Sequence, residues 1–132
     1  MADELVLCDT NVFIHLFSGT QEVSNNLTEI GVDNIVIPSV SVMELLQGME
    51  SKREVADMRK KLSFYYTLDY NEPVSKLAIQ NIEEYKLSQN LLIPDAIIGA
   101  MAGHFNMKLY TYNIKDFHYM PGIQLYTNES LK

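Results

Sequence analysis

The sequence predicts an α/β protein built on a central, mostly parallel five-stranded sheet, and three observations carry that expectation. Short apolar runs of strand length alternate with longer stretches whose apolar residues recur at helical spacing. Strands that alternate with helices imply parallel pairing with the sheet covered by crossover helices. A chain of 132 residues, 47% of them hydrophobic, is long enough for a core of its own and short of two domains. One domain over 1–132 is therefore expected.

The elements follow in order. Residues 4–8 read as a first strand, ending in Asp9. Asn11 to Phe17 is a short helix with Val12, Phe13, Leu16 and Phe17 apolar, stopped by Ser18-Gly19. Thr20 to Ile30 is a second helix, since Val23, Leu27 and Ile30 fall at i, i+4, i+7, and Gly31 ends it. Ile35-Val36-Ile37 is a second buried strand closed by Pro38. Ser39 to Met49 is the next helix, carrying Glu44 among Val42, Met43, Leu45 and Leu46. Residues 52–66 form an amphipathic helix: Val55, Met58, Leu62 and Tyr65 share one side, and Lys52, Arg53, Arg59 and Lys60 the opposite one.

Residues 66–70 supply a short third strand. Asn71 or Glu72 opens a long helix to Ser88, with Pro73 in the first turn, where a missing N–H costs little; Leu77, Ile82 and Leu87 are its expected buried residues. After Leu91-Leu92-Ile93-Pro94-Asp95 comes a helix rich in small residues, Ala96, Gly99, Ala100, Ala102 and Gly103, which would let it lie close on the sheet. Residues 108–112 form a fourth strand and 123–126 a fifth, joined through Asn113-Ile114-Lys115-Asp116-Phe117.

Composition narrows the function. The formal charge of −7 argues against nucleic-acid binding driven by net charge alone, while leaving room for an acidic site filled by cations. No apolar run is long enough to span a bilayer, and Met1-Ala2-Asp3-Glu4 lacks the basic region of a signal peptide, so a cytoplasmic location is expected. The single cysteine, Cys8, excludes an internal disulfide and a cysteine zinc cluster and reads as a core thiol.

Four acids stand out by their neighbours. Asp9 ends the first strand, where an open α/β sheet aims its ligand crevice. Glu44 interrupts an apolar helical stretch. Asp95 follows Pro94 at a helix start, and Asp116 follows the fourth strand. Each alone has a structural alternative: Asp9 and Asp95 as helix caps, Glu44 as a solvated edge, Asp116 as a turn residue. Carboxylates converging on one crevice would repel each other, and the remedy is a hard cation with oxygen ligands, Mg²⁺ or Mn²⁺.

The order and context of these pieces resemble a PIN domain, the ribonuclease fold of the toxin subunit in VapBC-type toxin–antitoxin pairs. The matching stretches are Asp9-Thr10-Asn11, Glu44 within residues 42–48, Asp95 within residues 93–100, and residues 111–117. The resemblance implies a three-layer α/β/α fold. It implies Asp9, Glu44, Asp95 and Asp116 as catalytic metal ligands, with Thr10, Asn11, Thr111 and Asn113 as supporting polar residues. It implies Mg²⁺- or Mn²⁺-dependent hydrolysis of RNA phosphodiesters, leaving 5′-phosphate and 3′-hydroxyl ends. It further implies a homodimer silenced by an antitoxin protein whose segment enters the acidic groove; no direct DNA binding by this chain is expected.

Where the toxin-like pattern usually carries a basic residue, this chain has Tyr112. RNA contacts are sought instead on the face of Lys52, Arg53, Arg59 and Lys60, with Lys108 and Lys115 as alternatives nearer the acids. The competing reading is a non-catalytic PIN-like module that binds RNA or protein. A dehalogenase-type phosphatase would want an Asp where Asn11 stands, and no GxxxxGK[ST] phosphate loop is present. His15, His104 and His118 have no nucleophilic partner in the sequence; His118, beside Asp116, is the one closest to the predicted site.

Overall fold

A computed structural model describes residues 4–127; the ends of the expected 1–132 domain, including the Met1-Ala2-Asp3 start, lie outside the described residues. Strands β1 (Val6–Cys8), β2 (Ile35–Pro38), β3 (Tyr66–Leu68), β4 (Lys108–Tyr110) and β5 (Gln124–Leu125) form one sheet in the order β3-β2-β1-β4-β5. All four neighbouring pairs are parallel. The chain runs outward from β1 through β2 to β3, then returns to the other side of β1 for β4 and β5. The direction reverses between β1 and β4, and in such sheets the crevice beyond the strand tips at that point is where ligands sit.

Helices α1 (Thr10–Phe17), α2 (Gln21–Ile30), α3 (Ser39–Gln47), α4 (Lys52–Leu62), α5 (Glu72–Gln89) and α6 (Ile93–His104) cover the sheet on both faces. The strand period of two decides which core each side chain joins. Val6, Cys8, Ile35, Ile37 and Tyr110 point to the layer of α1, α2, α3 and α4. Leu7, Val36 and Leu109 point to the opposite layer, made by α5 and α6. The fold is thus the expected three-layer α/β/α arrangement.

Several local expectations shift. The fourth helix ends at Leu62, four residues early, because Ser63 caps it by bonding back to the Arg59 and Lys60 carbonyls. The turn that follows still brings Tyr65 against the Phe13 ring, with centroids 5.3 Å apart. Val55, on the apolar side of α4, is 38% exposed; α4 buries only Met58 and Leu62. Leu87, expected inside, is 99% exposed. The buried stripe of α5 runs through Val74, Ala78 and Asn81, and a residue nine positions beyond Ala78 lies half a turn round the helix from it. The sixth helix starts at Ile93, so Pro94 and Asp95 both sit in its first turn.

The small residues of α6 admit a different neighbour than predicted. A Cβ on Gly99 would lie 2.5 Å from the Met120 Cε, and one on Gly103 would lie 3.2 Å from the Pro121 carbonyl oxygen. They make room for the segment leading into β5 rather than for the sheet itself. Gly122 completes this contact with a φ of +78°, a conformation glycine adopts without steric penalty.

Candidate metal centre

The site starts where β1 stops. Asp9 follows Cys8 with extended backbone (φ −66°, ψ 159°) and serves as the N-cap of α1, its Oδ1 accepting the Thr10 N–H at 2.7 Å. Its other oxygen, Oδ2, accepts the Thr111 hydroxyl at 2.9 Å. Thr111 reaches it because β4 ends at Tyr110, one residue earlier, beside β1. Thr111 is held in turn by the Asn113 N–H, which donates to Oγ1 at 2.9 Å. Asp9 is therefore both a helix cap and a site carboxylate. It is only 3% exposed, and its position is fixed from two strands.

Glu44 comes from α3, one and a half turns into the helix that leaves β2. The Thr10 Oγ1 lies 2.7 Å from Glu44 Oε1 and 2.7 Å from Ser41 Oγ. A hydroxyl carries one proton; donated to the carboxylate, it leaves Thr10 to accept from Ser41. Asp95 arrives from the first turn of α6. It is not that helix's cap, a position taken by Leu92, and no donor among the described residues bonds to it.

Asp9, Thr10, Asn11, Glu44, Asp95 and Asn113 line one crevice of about 280 Å³, with Ile14 and Leu45 as its apolar wall. Among the described residues, no Lys or Arg lines it. Asp116, in a 3₁₀ turn at Ile114–Asp116, does not line this crevice, but its charge acts on both Asp9 and Asp95. Six of the eight predicted site and supporting residues thus converge here, Thr111 supports the crevice from beneath, and Asp116 stands beside it. The sequence reading missed Ser41, fully buried behind Thr10; its only sequence signal is a polar residue in the first turn after Pro38.

The electrostatics follow from burial and crowding. Burial lifts the Asp95 carboxyl to about 7, helped by the charges of Asp9, Asp116 and Glu44. Burial also raises Asp9; the hydrogen bonds from Thr111 and Thr10 oppose the rise, and Glu44 and Asp116 add to it. The Cys8 thiol is pushed up by burial and by Asp9, consistent with a core thiol kept protonated.

The predicted cationic contacts lie elsewhere. Lys52 and Arg59 border a separate cleft with Met49 and Val55, and Arg53 faces Asp57 at 3.9 Å on the exposed side of α4. Lys60 is exposed near the end of that helix. Lys108 sits at the start of β4, the end of the sheet away from the crevice, paired with Glu4 at 3.2 Å. Lys115 is exposed in the same short turn as Asp116. His118 is exposed, its ring near Tyr119.

Residues 6–122 match the PIN domain family. The chain belongs to that family. No curated protein matches it. Among solved structures, this PIN domain is similar to a chain of a toxin–antitoxin complex from Klebsiella pneumoniae, at 32% identity and a TM-score of 0.73 over 89% of this chain and 94% of that one. It is also similar to a chain of DNA-bound VapBC from Salmonella typhimurium, at 22% identity and a TM-score of 0.77 over 93% and 97%. A chain of VapBC2 from Rickettsia felis bound to a promoter DNA fragment gives 22% identity and 0.77 over 95% and 99%. The last two likenesses establish the shared fold.

The donor set of this PIN domain fits a hard divalent cation. Among the described residues, every charged group lining the crevice is a carboxylate, with amide and hydroxyl oxygens beside them and no thiolate or imidazole. Among the described residues, no three acidic, thiol or imidazole groups already stand close enough to hold one ion. Binding would have to draw Asp95 and Glu44 toward the fixed Asp9.

Proposed function

We propose that this PIN domain is a metal-dependent endoribonuclease and the toxin of a toxin–antitoxin pair. The observation that carries the reading is the convergence of Asp9, Glu44 and Asp95, from three separate elements, on one crevice that no cation among the described residues lines. Desolvating unpaired like charges together is unfavourable, so a fold that assembles them has a use for a cation. A bound Mg²⁺ or Mn²⁺ would supply positive charge against the phosphate oxygens and activate water for attack.

The chain's own residues do the positioning. Asp9 is held by Thr111 and the start of α1 as the fixed ligand; Glu44, oriented by Thr10, and Asp95 are the others, with Asp116 as an outer carboxylate. Asn11 and Asn113 offer amide groups at the crevice wall. Lys115, exposed beside Asp116, is the cation best placed to meet an incoming strand, with Lys52, Arg53, Arg59 and Lys60 as a more distant track. The likeness to chains of toxin–antitoxin complexes supports an antitoxin partner, whose basic segment would suit an acidic crevice. Contact with operator DNA would belong to that partner. A homodimer acting in the cytoplasm completes the proposal; among the described residues, no helix is long and apolar enough to cross a membrane.

The test is cleavage of total RNA by purified protein with Mg²⁺ or Mn²⁺. Asp9→Asn and Asp95→Asn should each abolish it while keeping the native circular dichroism spectrum, and EDTA should silence the wild type. Activity that survives either substitution refutes the site. The lack of a ready three-ligand cluster favours a second reading, a non-catalytic module binding RNA or protein. A Mn²⁺ titration that finds no site would select it.

A further inference from the structure

Next to crevice residues in the chain, though outside the crevice lining, stands an aromatic cluster of His15, Tyr110 and Tyr112 that the cleavage chemistry does not use. Tyr112 stands between Thr111, which bonds to Asp9, and Asn113, which lines the crevice. Tyr112 is 38% exposed. It meets the exposed His15 ring nearly perpendicularly, with centroids 5.2 Å apart, and the Tyr110 ring at 5.6 Å. His15 in turn follows Ile14, another crevice residue.

The ring is held rather than free to swing. Asn26 Nδ2 donates to the Tyr110 hydroxyl at 2.8 Å, the Tyr110 and Tyr112 hydroxyls are 2.8 Å apart, and Tyr112 donates to Glu22 Oε1 at 3.4 Å. With one proton on each hydroxyl, the chain of donors runs from Asn26 through Tyr110 and Tyr112 to Glu22. An aromatic ring fixed at its hydroxyl end loses little entropy on meeting a flat ligand. The surrounding charge selects what that ligand is. Glu22 bonds to Tyr112 and Glu29 to the neighbouring Tyr126, so a phosphate is repelled here, while a neutral base is not.

We propose that Tyr112, backed by His15, is a stacking surface for an unpaired RNA base next to the phosphate held in the crevice. The inference rests on the RNA-cleavage reading and deepens it: the substrate is single-stranded at the cut, because a base must leave its own stack to lie on the ring. Tyr112 is then a positioning residue that sets where a strand lies, separate from the carboxylates.

Two measurements test it. Binding is read by fluorescence anisotropy with a labelled, unpaired oligoribonucleotide carrying cleavage-resistant phosphorothioate linkages. Cleavage is read as kcat and KM on the unmodified strand, on the same strand in a duplex, and on a strand lacking the base beside the mapped cut. Tyr112→Leu should weaken binding about tenfold and act mainly through KM, and Tyr112→Trp should restore both. Tyr112→Phe, which removes the hydroxyl bonds and keeps the ring, should stay within about threefold of wild type; a purely structural role of the hydroxyl would make Tyr112→Phe lose as much as Tyr112→Leu. Removing the base should cost the wild type about tenfold and cost Tyr112→Leu nothing further.

Equal binding by wild type and Tyr112→Leu, or a base-removal penalty of the same size in both, overturns the proposal. If Tyr112→Leu does not fold, the wild type decides alone: no penalty for the missing base overturns it. Tyr112-dependent binding without any cleavage keeps the stacking surface and rejects the nuclease reading. Cleavage indifferent to Tyr112→Leu does the reverse, and a wild type that neither binds nor cleaves rejects both.

Discussion

Replacing Asp95 by Asn should make the metal-free protein more stable while weakening its hold on metal. The Asp95 carboxyl is lifted from an ordinary 3.8 to about 7, first by burial and then by Asp9, Asp116 and Glu44. In the unfolded chain it ionises near its ordinary value. Below both values the group is protonated in either state and contributes no pH-dependent term. Between them the native state binds more protons than the unfolded state, so stability falls as pH rises; above about 7 the loss is complete.

Moving the carboxyl from 3.8 to about 7 would correspond to about 4 kcal/mol. Asp95 is partly exposed, and solvent screening reduces this to about 1–2 kcal/mol. Asn cannot ionise, so Asp95→Asn should recover that amount near pH 8 and much less near pH 5. Urea unfolding in EDTA, followed by circular dichroism, measures both. Adding Mg²⁺ should then stabilise the wild type and leave the variant nearly unchanged, reversing their order. A variant equally destabilised at both pH values in EDTA would refute the repulsion and with it the reason for a cation.

Thr111→Val removes the hydroxyl that donates to Asp9 Oδ2 and accepts from the Asn113 N–H. It should cost about 1–3 kcal/mol of stability and weaken Mn²⁺ binding in a calorimetric titration, because Asp9 loses a bond that favours its charged form. Gly122→Ala places a Cβ 3.2 Å from the Gly103 Cα at a φ of +78°, and should destabilise by more than about 1 kcal/mol in thermal unfolding. Reversing the charges of Lys52, Arg53, Arg59 and Lys60 together should leave the melting temperature nearly unchanged, since all four are exposed; unchanged cleavage as well would remove that face from the RNA path.

Much of the fold was legible because its signals are local. Apolar runs of strand length, helical spacing and stop residues located the five strands and six helices of the described residues with small errors at their ends. The failures have one physical origin. Val55 and Leu87 were assigned by hydrophobicity, yet a helix buries only the side its neighbours cover, and periodicity does not say how wide that cover is. The glycines of α6 were read as facing the sheet, while their close neighbour, the Met120–Gly122 segment, is brought there by the return of the chain into β5.

The candidate site divides the same way. By itself the sequence determined which carboxylates interrupt apolar surroundings at element junctions, and so proposed Asp9, Glu44, Asp95 and Asp116 together. Tertiary structure alone decided their standing. Parallel pairing of β1 with β4 places Thr111 on Asp9, and the packing of α3 and α6 carries Glu44 and Asp95 to the same crevice, while Asp116 remains beside it. It also placed Lys108 at the far end of the sheet and Tyr112 against His15 and Tyr110. Distance along the chain sets neither outcome; strand order does, because it chooses which loops share one end of the sheet.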